Sequence, residues 1–299
     1  MGPIISRFAP APTGFLHLGH AVNAALVWGE TRARATGAGQ GRVLLRIEDH
    51  DRQRSRPEFE AAILEDLAWL GLTWDEPLVR QSERGAIYES ALNGLRARGL
   101  VYACGCTRAE VARAGAGRAR QDRQHAEPEM LPLHSSESEL PALHSNDELR
   151  YAGTCRDRAL AEGPGVGLRV RLEPTLERFV DLRHGPQAQQ PSEQCGDLLV
   201  RDRDGNWTYQ FAATVDDYVQ GVTLVVRGDD LLASTGRQIQ LARLLGRAEP
   251  PAFLHHPLIM KSPLQKLSKS DGDTGIRELR ERGLTPAQVI ERALSLAGV

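Results

Sequence analysis

The first hundred residues alternate short apolar runs with helical periods, and few folds accommodate that order. Ile4 to Ala9 reads as a strand, closed by a turn at Pro10, Pro12 and Gly14. An alanine-rich helix is expected from about His17 to Ala35, with Gly37 and Gly39 ending it. Val43 to Ile47 is apolar apart from Arg46, as a buried strand is. Pro57 opens a helix whose Phe59, Ile63, Leu67 and Leu70 share one face, with Gly71 as its stop. Another helix runs from about Arg84 to Arg98, ahead of Gly99. Strand, helix, strand, helix at this spacing predicts an α/β fold with a parallel sheet and helices on both faces.

The pattern changes after Tyr102. Thr107-Arg-Ala-Glu110 is a capping box for a short helix, and 115–146 is polar and aperiodic, as a loop or insertion is. Leu168 to Leu172 alternates like a half-exposed strand, and Phe179 to Leu182 suits another. Asp197–Asp202 and Trp207–Ala212 flank Asp204-Gly205, which predicts a hairpin. The parallel pattern then resumes with a strand at Thr223–Arg227, a helix at Thr235–Leu245 and a strand ending at Leu258–Met260. A last helix starts at Pro286.

The two ends of this chain carry the chemistry. Arg7 to His20 runs from a strand into a helix, whose first turn offers free N–H groups and a positive dipole to phosphate. His17 and His20 share one face there, and Gly19 lets a ligand approach the backbone. The chain has 34 arginines but three lysines, Lys261, Lys266 and Lys269, all within nine residues. Where lysine persists among so many arginines, a compact ammonium is specifically required. Lys266-Leu-Ser-Lys-Ser270 suits a loop closing over a polyphosphate. The expected chemistry is ATP-dependent activation of a carboxylic acid as its adenylate. At 299 residues, 41% hydrophobic and 25% charged, the chain supports a globular core. It has no apolar run of membrane-spanning length and no basic-then-apolar leader, so a soluble, cytoplasmic protein is expected. Net charge is −2, which leaves RNA binding to a local basic stripe. Cys104, Cys106 and Cys155 cluster as a metal site does, while Cys195 stands apart.

His-Leu-Gly-His and Lys-Leu-Ser-Lys-Ser resemble the HIGH and KMSKS signatures of class I aminoacyl-tRNA synthetases. Arg7-Phe-Ala-Pro-Ala-Pro-Thr-Gly14, Arg46-Ile-Glu-Asp49 and Val226-Arg-Gly-Asp-Asp-Leu-Leu232 are similar to the glutamyl/glutaminyl branch. The resemblance covers nearly the whole chain. Only 29 residues follow Ser270, so no anticodon-binding domain is expected, which is the pattern of glutamyl-queuosine tRNA(Asp) synthetases. It implies a Rossmann-like nucleotide-binding domain in two halves, 1–100 and 196–246. An α+β subdomain is inserted at 101–195, and 247–299 forms a short helical C-terminal region with the lysine loop.

The resemblance also implies roles. Arg7, Ala9, Ala11, Glu48, Tyr209 and Arg227 would hold L-glutamate, the arginines gripping its carboxylates and Glu48 its ammonium. His17, Gly19, His20 and Lys269 would bind ATP, and His17, His20, Lys266 and Lys269 would stabilise the phosphates as pyrophosphate leaves. Mg²⁺ would arrive with ATP. Cys104, Cys106, Tyr151 and Cys155 match the branch's zinc ligands, with His125, His134 and His144 as competitors. The implied product is tRNA(Asp) glutamylated on queuosine, after activation that needs no tRNA, by a monomer. Three alternatives stand beside it: a truncated glutamyl-tRNA synthetase, a non-catalytic RNA-binding relative, and another adenylate-forming or nucleotidyl-transfer enzyme.

Overall fold

The computed structural model describes residues 2–35, 41–114, 149–262, 265–266 and 275–299. Strand β1 (Ile4–Phe8) leads through a proline-rich turn into α1 (Leu18–Arg34), whose Leu18, Ala21, Val22, Val27 and Trp28 are buried. Next come β2 (Gly41–Ile47) and α2 (Pro57–Trp69), with Pro57 in the first turn, where no N–H is required. The two-residue β3 (Val79–Arg80) precedes α3 (Gly85–Ala97). Strands β4 (Val101–Cys104), β5 (Gly167–Val170), β6 (Glu177–Asp181), β7 (Gly185–Gln189) and β8 (Leu198–Arg201) occupy the middle of the chain. Then α4 (Tyr209–Val219), β9 (Leu224–Gly228), α5 (Thr235–Leu244) and β10 (Ala252–His256) restore the alternation. Short strands β11 (Met260–Ser262) and β12 (Gln265–Lys266) and helices α6 (Ile276–Glu281) and α7 (Pro286–Ala297) finish it.

The sheet is parallel where the spacing demanded it. β1 pairs with β2 and β2 with β3, while β9 pairs with β10 so that Arg227 lies opposite His255. The two blocks meet at β1, where Ile5 N–H donates to Thr223 Oγ1 and Thr223 N–H to the Ile5 carbonyl, both at 2.8 Å. One core cluster joins β1, β2 and α1 to Val289, Ala293 and Ala297 of α7, so the C-terminal helices cover α1. A separate antiparallel sheet, β4-β5-β8, forms the floor beneath the cysteines.

Three expectations change. Trp207–Ala212 is not a strand: Trp207 makes one isolated bridge to Arg201, and α4 begins at Tyr209. Buried Phe211, Ala212 and Val215 follow a helical period, and Trp207 stacks on Phe211 at 5.3 Å. The strand expected to end at Met260 ends at His256, because Pro257 has no N–H to continue a ladder. Finally, β6 is the inner strand of a hairpin with β7, and it pairs in parallel with β10, Phe253 opposite Asp181. Residues 177–189 therefore extend the sheet that holds β9 and β10. Gly37, Gly39 and the whole 115–146 loop lie outside the described residues.

Candidate active site

The carboxyl ends of β1, β2 and β9 converge, which is where open parallel sheets bind ligands. Arg7 is next to last in β1 and only 5% exposed. Its Nε donates to Asp217 Oδ1 at 3.0 Å and its Nη1 to the Val226 carbonyl at 3.4 Å. Arg46, fully buried in β2, donates to Asp217 Oδ1 at 2.8 Å, Gln220 Oε1 at 3.0 Å and Glu48 Oε1 at 3.3 Å. Beneath it, Asp216 accepts from Arg84, Gln81 and Tyr88. The Asp217 carboxyl is held down at about 2: burial opposes its charge, but Arg7 and Arg46 overcome that. Glu48 moves the other way, raised by burial more than Arg46 can lower it. Its backbone N–H donates to the Pro10 carbonyl at 3.0 Å, which brings the half-buried turn containing Ala9 and Ala11 beside it.

Arg227 is as buried as Arg7 but is held differently. Its Nε donates to His255 Nε2 at 2.9 Å, its Nη2 to Thr235 Oγ1 at 2.9 Å and its Nη1 to Gln238 Oε1. All three acceptors are neutral, and among the described residues no carboxylate pairs with it. Burial accordingly lowers its pKa. Tyr209 opens α4 and lies in the same field: burial raises its phenol, as does Glu48, while Arg227 and Arg7 pull it back. Arg7 of β1, Glu48 just past β2, Tyr209 of α4 and Arg227 of β9 therefore form one electrostatic group.

The second part of the site is built on α1. His17 is its N-cap, accepting the Gly19 N–H on Nδ1 at 3.1 Å, while His20 Nδ1 accepts the His17 N–H at 3.1 Å. A backbone N–H can only donate, so each neutral ring carries its proton on Nε2. The rings lie 4.0 Å apart. Gly19 is tightly placed, since a Cβ there would sit 2.9 Å from the His17 ring. The chain leaves the sheet at Lys266 in β12 and returns at Gly275, which bridges to His17, while Ile276 N–H donates to the Leu16 carbonyl at 3.0 Å. Both ends of the lysine segment are thus anchored, one of them on the histidine turn. Lys269 lies outside the described residues.

The cysteines meet at the end of β4. The sulfurs of Cys104, Cys106 and Cys155 lie within 4.8 Å of one another, Cys106 and Cys155 at 3.5 Å. The Tyr151 hydroxyl is 3.5 Å from Cys104 Sγ and accepts the Cys155 N–H at 2.7 Å. Burial raises the Cys106 thiol to about 12, helped by Cys155. Burial also opposes ionisation of Cys104, but Tyr151 and the Arg169 guanidinium, 3.4 Å from its sulfur, lower it overall. Three thiols this close could hold a metal ion, and Arg169 would balance the surplus negative charge of three thiolates. His125, His134 and His144 lie outside the described residues. A cleft of about 1060 Å³ runs from Cys104 and Cys106 past Arg169 and Arg203 to Tyr209 and Ser234.

Asp217, Asp216, Thr235, Gln238, His255 and Asp181 were not anticipated. Arg46 was visible as a charge in a buried run, and paired aspartates in an otherwise apolar helix were the matching signal.

Residues 3–299 match the family described as tRNA synthetases class I (E and Q), catalytic domain, and the chain belongs to it. It is a ligase-class enzyme within that family. A relative from Rhodobacter capsulatus named Glutamyl-Q tRNA(Asp) synthetase is 38% identical over 96% of this chain and 98% of its own. Another of that name, from Bordetella bronchiseptica, is 43% identical over 90% of this chain and 75% of its own. Glutamate–tRNA ligase 2 of Chelativorans sp. is 40% identical over 95% of this chain but 54% of its own length. A crystal structure of a glutamate tRNA ligase from Elizabethkingia meningosepticum, in complex with its amino acid, superposes with a TM-score of 0.67 at 28% identity. That match covers 90% of this chain and 52% of the other, so the chain spans about half the length of the glutamate–tRNA ligases it matches. Among the described residues no helix is long and apolar enough to cross a membrane.

Proposed function

We propose that this enzyme uses ATP to convert L-glutamate to its adenylate without tRNA, then transfers the glutamyl group to queuosine in the anticodon of tRNA(Asp). The observation that carries this reading is the pair of buried arginines, one neutralised by Asp217 and the other held, among the described residues, by neutral acceptors. A cation buried in that way calls for an anionic ligand group. Arg227 and Arg7 would hold the two carboxylates, Glu48 the ammonium and Tyr209 a further hydrogen bond. Ala9 and Ala11 would line the edge of the same pocket.

The substrate carboxylate then attacks the α-phosphorus in line and pyrophosphate departs. His17 and His20 would donate from Nε2 to phosphate oxygens, Gly19 would let the nucleotide approach, and Lys266 and Lys269 would close over the leaving phosphates. Positioning and charge stabilisation suffice, with no protein nucleophile. Mg²⁺ would accompany the ATP phosphates. Cys104, Cys106, Cys155 and Tyr151 would hold one structural zinc, tying β4 to the 151–155 segment. The segments 1–100 and 196–246, joined by the 177–189 hairpin and by β10, would carry the adenylation chemistry, the rest of 101–195 the zinc and the acceptor cleft, and the rest of 247–299 the closing loop. The names of the full-length relatives support the queuosine acceptor, and the cytoplasm, where charged tRNA is made, suits a monomeric enzyme of this kind.

The test is ATP–pyrophosphate exchange without tRNA, with glutamine and aspartate as controls. Exchange specific for glutamate is expected, followed by transfer to tRNA(Asp) bearing queuosine and not to the unmodified tRNA. Exchange that appears only when tRNA is added would favour a glutamyl-tRNA synthetase instead.

A further inference from the structure

Arg227 and His255 lie opposite each other on neighbouring parallel strands, and His255 is fully buried. On its far side the imidazole meets Asp181, the last residue of β6, with Nδ1 2.6 Å from Oδ2. The same carboxylate accepts the backbone N–H of Arg183 at 3.0 Å, of His184 at 2.9 Å and of His255 at 3.2 Å. Four donors converge on Asp181, so it is an anion that must accept, and the His255 proton sits on Nδ1. That leaves a lone pair on Nε2, which receives the Arg227 Nε–H. A second proton on this ring would face the guanidinium directly.

The contrast with Arg7 gives this chain of bonds its meaning. Arg7 and Arg46 both touch a carboxylate, and their charge is neutralised inside the protein. At Arg227 a neutral ring is interposed, and the carboxylate stands one imidazole further off. Gln238, Thr235 and the Tyr209 hydroxyl add to the grip, again without charge. We infer that Asp181 and His255 are positioning residues that orient Arg227 without neutralising it, and so make the site select a ligand carboxylate over its amide. The inference rests on the proposed reading of Arg227 as an amino-acid contact, and names what enforces glutamate over glutamine.

The discriminating pair of variants is His255→Gln and His255→Glu, of nearly equal size, the first neutral and the second anionic. Both are made in the full chain and assayed by pyrophosphate exchange at pH 8, with KM and kcat for glutamate, glutamine and ATP. His255→Gln still offers Arg227 a neutral acceptor, so the glutamate-over-glutamine preference is expected to stay within about threefold of wild type. His255→Glu neutralises Arg227 internally, and the preference is expected to fall by about tenfold or more, through the KM for glutamate and with the KM for ATP unchanged. A ¹⁵N spectrum of the wild-type imidazole is expected to report the neutral Nδ1–H form at pH 7. Equal loss in both variants, no loss in either, parallel changes in the KM for ATP, or an Nε2–H imidazole would each overturn the inference while leaving the substrate reading intact. A wild-type enzyme that does not discriminate glutamate from glutamine would overturn both.

Discussion

Replacing Arg46 with methionine tests whether the buried ion network holds the site together. The guanidinium is 0% exposed and reaches Asp217, Glu48 and, at 3.8 Å, Asp216. Breaking one partner of a buried pair costs about 3–5 kcal/mol, because the other is left charged in a poor solvent. Here Asp217 keeps Arg7 and Asp216 keeps Arg84, so the exposed liability is mainly Glu48. That places the expected loss near the lower bound, about 3 kcal/mol at pH 8. Glu48 is already raised by burial, and loss of Arg46, the largest opposing influence, raises it further. A carboxyl whose folded pKa lies above its unfolded value loses native stability as pH rises between the two, so the deficit must grow with pH. Urea unfolding, followed through the buried Trp28, should show a smaller loss at pH 5.5 than at pH 8. Adding Glu48→Gln should restore part of the pH 8 loss. A deficit below about 1 kcal/mol, or one of equal size at both pH values, would refute the reasoning.

Other consequences follow from single contacts. Arg227→Gln should raise the KM for glutamate about thirtyfold, from about 2 kcal/mol of charge-assisted bonding, with the KM for ATP unchanged in pyrophosphate exchange. His255 is lowered to about 4 by burial and then by the Arg227 charge, so below its unfolded value near 6.5 the unfolded chain binds a proton that the native site refuses. Its contribution is therefore complete above pH 6.5 and lost between there and pH 4, by about 3 kcal/mol, a slope that denaturation of His255→Gln should lack. Gly196 has φ +68°, and a Cβ there would sit 2.1 Å from the Tyr151 carbonyl oxygen, so Gly196→Ala should cost about 2–3 kcal/mol in thermal unfolding and, on the proposed zinc reading, weaken zinc binding in a titration against a chelator.

What could be read from residues alone was whatever has a period or a boundary. β1, α1, β2, α2 and α3 begin and end within two residues of the positions expected, because glycine, proline and apolar spacing mark them. The histidine turn at the start of α1 was also legible, since a turn, a cap and a helix start within a few residues are local. Strand β7 was not: Gly185-Pro-Gln-Ala-Gln189 is a polar edge strand, whose proline and exposed side chains resemble a loop. Nor was the hydrogen-bonded shell around Arg227, because Asp181 and His255 are 74 residues apart and meet only through sheet order. Trp207–Ala212 failed for a related reason, a strong turn at Asp204-Gly205 being followed by a helix rather than a returning strand.

The β6–β7 hairpin has a practical consequence for building chimaeras. A graft that exchanged 101–195 as a unit would carry off Asp181 along with the cysteines, and the recipient's Arg227 would inherit a stranger's support. Cutting instead in the stretch between β5 and β6, before Glu177, leaves the hairpin bonded to β10 and moves only the β4–β5 side of the cleft. The β4–β5 side can then be exchanged between relatives without disturbing the bonds that link Asp181, His255 and Arg227.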